Sequence, residues 1–121
     1  MSNLTTWFEI PALDINRAKK FYEILFDTEL DKKENAENEY YLLPNAENAG
    51  GALIRNEKVI PSPGGVLLYL NMDVDITKAV KRIKKAGGRI LKDAEEVEGY
   101  PGQFAVFVDS EGNRIGVHAN S

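Results

Sequence analysis

The side chains able to do chemistry in this chain are few. It holds one histidine, His118, and no cysteine among 121 residues. The missing thiols exclude a cysteine nucleophile, disulfide stapling and any thiolate-held metal or iron–sulfur cluster. A lone imidazole also excludes a single-chain metal site built on two or three histidines. Glu9, in a strand-like stretch near the start, and His118, near the end, are the candidate catalytic residues. Together they would form a carboxylate–imidazole pair suited to general-base work, or a two-donor metal site weaker than one with three or four ligands. They lie in different halves of the chain, so a meeting between them can call on a neighbouring subunit. The plainer alternative leaves Glu9 as a solvated or ion-paired strand residue and His118 as an exposed residue near the C-terminus.

The candidate ligand-binding residues are Trp7, Tyr69, Asn71, Phe104 and Arg114. Tryptophan and tyrosine offer flat apolar area with one polar handle, which suits a small-molecule cleft. In the register that buries Leu68, Leu70 and Met72 against a helix, Tyr69 and Asn71 face the other way. Plain core packing fits Phe104 better than a cleft does, and fits Trp7 and Tyr69 equally well. Arg114 can hold a ligand carboxylate or phosphate, or stand as a surface residue beside a turn.

These residues need strands to carry them. Residues 5–12 alternate with period two and read as a strand ended by Pro11. Asp14 is a good N-cap, and Ile15, Ala18, Phe21, Tyr22, Leu25 and Phe26 form an apolar stripe that predicts a helix over 15–26. Residues 28–34 and 38–43 suggest a hairpin around Asn35 to Asn38, Pro44 to Asn48 a turn, and Gly50 to Ile54 a third strand. The proline- and glycine-rich stretch 56–65 is a linker. Val66 to Met72 then reads as a strand, Asp75 as a second cap, and Ile76, Ala79, Val80 and Ile83 as a second helical stripe stopped by Gly87 and Gly88. Arg89 to Lys92 and Gln103 to Val108 read as strands and 93–102 as a loop or ragged strand end. Glu95, Glu96 and Glu98 within it suggest either a flap or an ordinary polar loop. The turn Asp109 to Asn113 leads into a last strand, Arg114 to His118.

The element order therefore repeats. Asp14-Ile15-x-x-Ala18-x-Lys20 matches Asp75-Ile76-x-x-Ala79-x-Lys81 at a shift of 61 residues, and Leu30 matches Leu91 at the same shift. Each half is too small to hold a good core alone, so both are expected to share one domain over 1–121: module 1 about 4–55, linker 56–64, module 2 about 65–119. The segments FEIPALDINRAKKFYEILFD (8–27), LYLNMDVDITKAVKRIKKAGGRIL (68–91) and GQFAVFVDSEGNRIGVH (102–118) resemble the vicinal oxygen chelate superfamily, the glyoxalase/bleomycin-resistance/dioxygenase proteins. The resemblance implies an α+β fold, two βαβββ modules whose mixed sheet curls around a ligand cleft, and commonly a homodimer.

It also implies where metal-dependent members carry their ligands. Those positions fall on Trp7, near Gly50 to Ala52, on Leu67 or Leu68, and on Gly116, the ambiguity arising because Asp73 or Val74 looks inserted. None of these side chains can ligate a divalent cation, so no metal or other cofactor is expected. Glu9 and His118 each stand two residues beyond such a position, on the same strand face.

A net charge of −4 argues against a general nucleic-acid partner, and Lys78, Lys81, Arg82, Lys84 and Lys85 read as a solvated helix face. No apolar run approaches the roughly 20 residues of a membrane span, and MSNLTTWFEI does not read as a signal segment. The expectation is a cytoplasmic, homodimeric protein that binds a small organic molecule without a metal. The alternatives are a lyase, isomerase or dioxygenase-like enzyme of the same superfamily using Glu9 and His118, and a regulatory interaction module with a vestigial cleft.

Overall fold

A computed structural model describes residues 4–34, 38–44 and 50–121. The expected turns around Asn35 and over 45–48 lie outside the described residues. The order is β1 (Trp7–Pro11), α1 (Ile15–Phe26), β2 (Asp31–Glu34), β3 (Glu39–Leu42), β4 (Gly50–Arg55), β5 (Leu68–Asn71), α2 (Ile76–Lys85), β6 (Arg89–Val97), β7 (Tyr100–Val108) and β8 (Arg114–Ala119). The strands form two four-stranded mixed sheets, ordered β1-β4-β3-β2 and β5-β8-β7-β6. In each, the first strand of the module pairs in parallel with the last. This is the paired βαβββ, α+β architecture expected above.

Local chemistry explains both helices. Asp14 accepts from Arg17 N at 3.0 Å and Asp75 from Lys78 N at 2.9 Å, each satisfying a free amide of a first turn. The stripes Ile15, Ala18, Phe21, Tyr22, Leu25 and Ile76, Ala79, Val80, Ile83 are buried. Full burial of side chains this large contributes roughly 1.5–3 kcal/mol each. Phe21 stacks on Phe107 with centroids 5.8 Å apart, joining the modules in one core. Gly88 permits that approach, since a Cβ there would lie 2.7 Å from Ile83 Cγ2 and 3.0 Å from the Phe21 ring. Arg82 is not simply a solvated cation, because its Nη1 donates to Leu25 O at 3.2 Å, serving the C-terminal end of α1.

The repeat carries one insertion, and hydrogen bonding locates it. Ala12 N donates to Ile54 O and Met72 N to His118 O, both at 2.8 Å, so these strand positions correspond at a shift of 60. The caps Asp14 and Asp75 correspond at 61. The extra residue therefore falls between Met72 and Asp75. It follows that Leu67, not Leu68, is the counterpart of Trp7, and that Tyr69 is the counterpart of Glu9.

One segment has two readings. Residues 93–102 are not a loop but irregular strand ends: they complete a long hairpin in which β6 runs to Val97 and β7 starts at Tyr100, with register shifts along β6 and a turn at Gly99 with φ 87°. Most of β6 is exposed. A ribbon wet on both faces has no apolar alternation to betray it.

Candidate functional site

Each sheet turns one face to the helices and leaves the other open. On the first sheet, Trp7 and Glu9 of β1 stand opposite Gly50 and Ala52 of β4 on the open face. Tyr40 and Leu42 of β3 and Lys33 of β2 continue that face by the pairings Tyr40↔Ile54, Leu42↔Ala52 and Lys33↔Tyr40. Together with Asn38 and Ile54 they line a groove of about 420 Å³. The volume is within the roughly 300–1,000 Å³ usual for small-molecule sites. Trp7 remains 46% exposed, and its Nε1 donates to Glu9 Oε2 at 3.3 Å. An indole and a phenol supply flat walls here, a carboxylate and an ammonium the polar handles.

On the second sheet, Tyr69 and Asn71 stand opposite Gly116 and His118, and Phe104 opposite His118 on the other side. Phe104 belongs to this open face, in edge contact with Tyr69 (centroids 5.4 Å) and against the His118 ring (4.7 Å). The His118 Nε2 donates to Pro101 O at 2.9 Å. A carbonyl oxygen only accepts, so this contact fixes the Nε2–H tautomer and leaves Nδ1 as the basic nitrogen of the neutral ring.

Of the residues singled out from the sequence, Trp7 and Glu9 share one groove, and Tyr69, Asn71, Phe104 and His118 share the other face. Arg114 stands at the end of that face, donating from Nη2 to Gly65 O at 3.3 Å. Glu9 and His118 are on different sheets. Each has a different partner within the chain. A larger hollow of about 740 Å³ runs along Glu96–Gln103 and Asn120–Ser121, away from the Trp7 groove.

The sequence reading passed over Lys33, Tyr40 and Ile54. A two-residue alternation places Tyr40 and Leu42 on one face, but only the strand pairing brings them beside Trp7. It also passed over the work of the Asp109–Asn113 turn. Glu111 accepts from Leu13 N and Asp14 N, each at 2.8 Å, and from Arg17 Nε at 2.7 Å. Burial disfavours its charge, yet the hydrogen bonds from Arg17, Asp14 N and Ser110 hold its pKa below the ordinary value. Asp109 accepts from the Tyr22 hydroxyl at 2.6 Å, and burial first, then this carboxylate, pushes the phenol pKa well up.

The positions that the resemblance assigns to metal ligands carry no side chain that fits one. Trp7 and Leu67 have no oxygen or imidazole donor, and Ala52, the counterpart of Gly116, has only a methyl. At Gly116 the Tyr69 ring occupies the space a side chain would enter. Among the described residues there is no group of three or more His, Cys, Asp or Glu that could hold a metal ion.

Two βαβββ modules with open sheet faces define a class of small α+β domains, and comparison supplies the family. The model of the Glyoxalase/Bleomycin resistance protein/Dioxygenase superfamily matches residues 5–117, and the chain belongs to that superfamily. A glyoxylase-like domain-containing protein of Didymella fabae is 28% identical over 110 residues, covering 87% of this chain and 84% of the relative. A glyoxalase/bleomycin resistance protein from Streptomyces sp. CB03234 shares the fold with a TM-score of 0.69 at 23% identity, covering 94% and 98% of the two chains. A glyoxalase I variant from Zea mays superposes with a TM-score of 0.73 at 24% identity over 94% of this chain, which spans only 45% of the maize protein. At these identities the structural likenesses establish the fold.

Proposed function

We propose that this chain binds a small, flat organic molecule on the open face of its first sheet, without a resident metal ion. The observation that carries the reading is the convergence of Trp7, Glu9, Lys33 and Tyr40 on one groove. A planar ligand stacks on the indole and phenol, while the ammonium and carboxylate orient its polar groups. The non-ligating residues at the family's metal positions support a binding role that does not pass through a metal.

The protein works as a homodimer in the cytoplasm. No helix among the described residues is long and apolar enough to cross a membrane. A second copy also gives the enzymatic reading its route. For a lyase, isomerase or dioxygenase-like reaction, a second copy offers one way for His118 to meet Glu9, which stands on the other sheet of the chain. The basic His118 Nδ1 favours that reading specifically, because it leaves a proton acceptor beside Tyr69 and Phe104.

The single tryptophan is the test. Titration with a panel of planar organic compounds should quench or shift Trp7 emission saturably, and Tyr40→Ala and Lys33→Met should weaken the response. Saturable binding unaffected by both changes would place the ligand elsewhere. Turnover lost in both Glu9→Gln and His118→Ala, with folding intact, would favour the enzyme.

A further inference from the structure

Opposite charges share the Trp7 groove without meeting. Glu9 lines it beside Trp7 on one wall, and Lys33 beside Tyr40 on the other. Glu9 accepts from Trp7 Nε1 at 3.3 Å through Oε2, which holds the carboxylate against the indole. Among the described residues, no salt bridge joins Lys33 to a carboxylate. The strand register explains the separation. Glu9 pairs with Ala52, Ala52 with Leu42 and Leu42 with Asp31, so Glu9 and Asp31 end one row across the sheet. Lys33 stands two residues further along β2. Three strand spacings of about 4.8 Å and one side-chain repeat of roughly 7 Å therefore part the backbones of Glu9 and Lys33. Asp31 shares the open face but is not among the residues lining the groove.

While the groove is open, water solvates both charges and neither calls for a partner. A flat ligand changes that. Laid between the Trp7 and Tyr40 walls, it covers both ends of the groove and strips water from the carboxylate and the ammonium together. A neutral ligand leaves each covered charge unpaired, and that cost disappears only when the ligand brings a matching group. An acid alone answers Lys33 and leaves Glu9 unanswered; a base alone does the reverse. The span limits the size. A charge-assisted hydrogen bond takes up about 2.8 Å at each end, and both side chains lean in from their strands, which leaves room for one ring with a short arm at either end. Building on the proposed binding in this groove, we infer that its ligand class is a single-ring planar zwitterion, with a cationic arm bonded to Glu9 and an acidic arm bonded to Lys33.

Three compounds of one shape separate the contributions. The probe is 4-(aminomethyl)benzoate; 4-(aminomethyl)benzamide lacks its acid, and 4-methylbenzoate lacks its ammonium. Binding to the whole chain is followed by Trp7 emission and by the amide NMR shifts of Trp7 and Tyr40. On the parent protein the zwitterion should bind about five-fold or more tightly than either control. Lys33→Met should erase its advantage over the benzamide and keep its advantage over 4-methylbenzoate. Glu9→Gln should do the opposite. The zwitterion assignment is overturned, with planar binding in the groove left standing, if all three compounds bind the parent equally well. It is overturned as well if either variant lowers both advantages alike, since the two charges would then not act at separate ends. If none of the three shifts Trp7 or Tyr40 saturably, the groove is not the binding face and both readings fall. The comparison on the parent protein needs no variant to fold.

Discussion

Glu111, in a turn of the second module, holds Arg17 of the first at 2.7 Å while its side chain is fully shielded from solvent. The same carboxylate takes the amides of Leu13 and Asp14, the residues that open α1. One side chain thus caps the first helix from the other half of the repeat and complements its positive end. Glu111→Gln replaces one acceptor oxygen by a donor that faces donors. The expected loss is roughly 3 kcal/mol, read as a lowered denaturant midpoint with an unchanged slope.

The same contact sets an acid limit. A carboxylate whose folded pKa is depressed contributes stability above its unfolded value, and that stability is lost as pH falls through the folded one. For Glu111 the window lies below about 4.5, the ordinary value for a glutamate. Unfolding free energy of the parent should fall with decreasing pH there, and Glu111→Gln should fall less steeply. Parallel curves would show that the contact contributes no linkage.

Tyr22 makes the second clasp between modules, its hydroxyl 2.6 Å from Asp109 in a buried setting. Tyr22→Phe keeps the ring packed against Phe21 and removes only the donor. Asp109 retains Asn113 Nδ2 at 3.1 Å on the same oxygen, so the loss should be modest, about 1–2 kcal/mol. Chemical denaturation measures it. A loss no larger than a few tenths would mean that the bond only replaces one to water.

Gly102 takes φ 86° where β7 passes the end of β8, and a Cβ there would collide with Ala119 O and come within 2.6 Å of His118 Nε2. Backbone strain and a clash with main chain act together in Gly102→Ala, for a loss on the order of 2 kcal/mol. The His118–Pro101 hydrogen bond should break with it. Imidazole nitrogen NMR should then show the His118 Nε2–H signal shifted or lost in the variant, while an unchanged signal would show that the imidazole does not depend on this turn.

How far the sequence reached follows from the same residues. The helices were legible because each had a capping aspartate and a one-sided apolar stripe, and α1 spans 15–26 as its pattern predicts. The repeat was legible because caps and core positions tolerate little variation. The β6–β7 ribbon was not, since Glu95, Glu96 and Glu98 alternate with nothing that is buried. The site was half legible: Trp7 and Glu9 announce themselves by type, whereas Lys33 and Tyr40 join them only through β4, whose parallel pairing with β1 spans a long sequence separation. The Asp109–Asn113 turn was visible as a turn, but its polar residues gain their meaning from partners about ninety residues away, such as Tyr22.

The metal-free reading also makes a prediction of its own. A divalent ion bound to the folded chain alone, at a hundred times its dissociation constant, adds about 2.7 kcal/mol of stability. For a domain of this size that raises the thermal midpoint by several degrees or more. Zinc, manganese or nickel added to chelator-treated protein should therefore leave the midpoint within about a degree. Exposed carboxylates such as those of β6 bind these ions too weakly to matter, because neighbouring donors are not held together in a fixed geometry. A saturable rise at one equivalent would mean that Glu9 and His118, from two copies of the chain, assemble a centre that neither sheet holds alone. Glu9→Gln and His118→Ala would then each abolish the rise, and the protein would have to be read as a metalloprotein with displaced ligands.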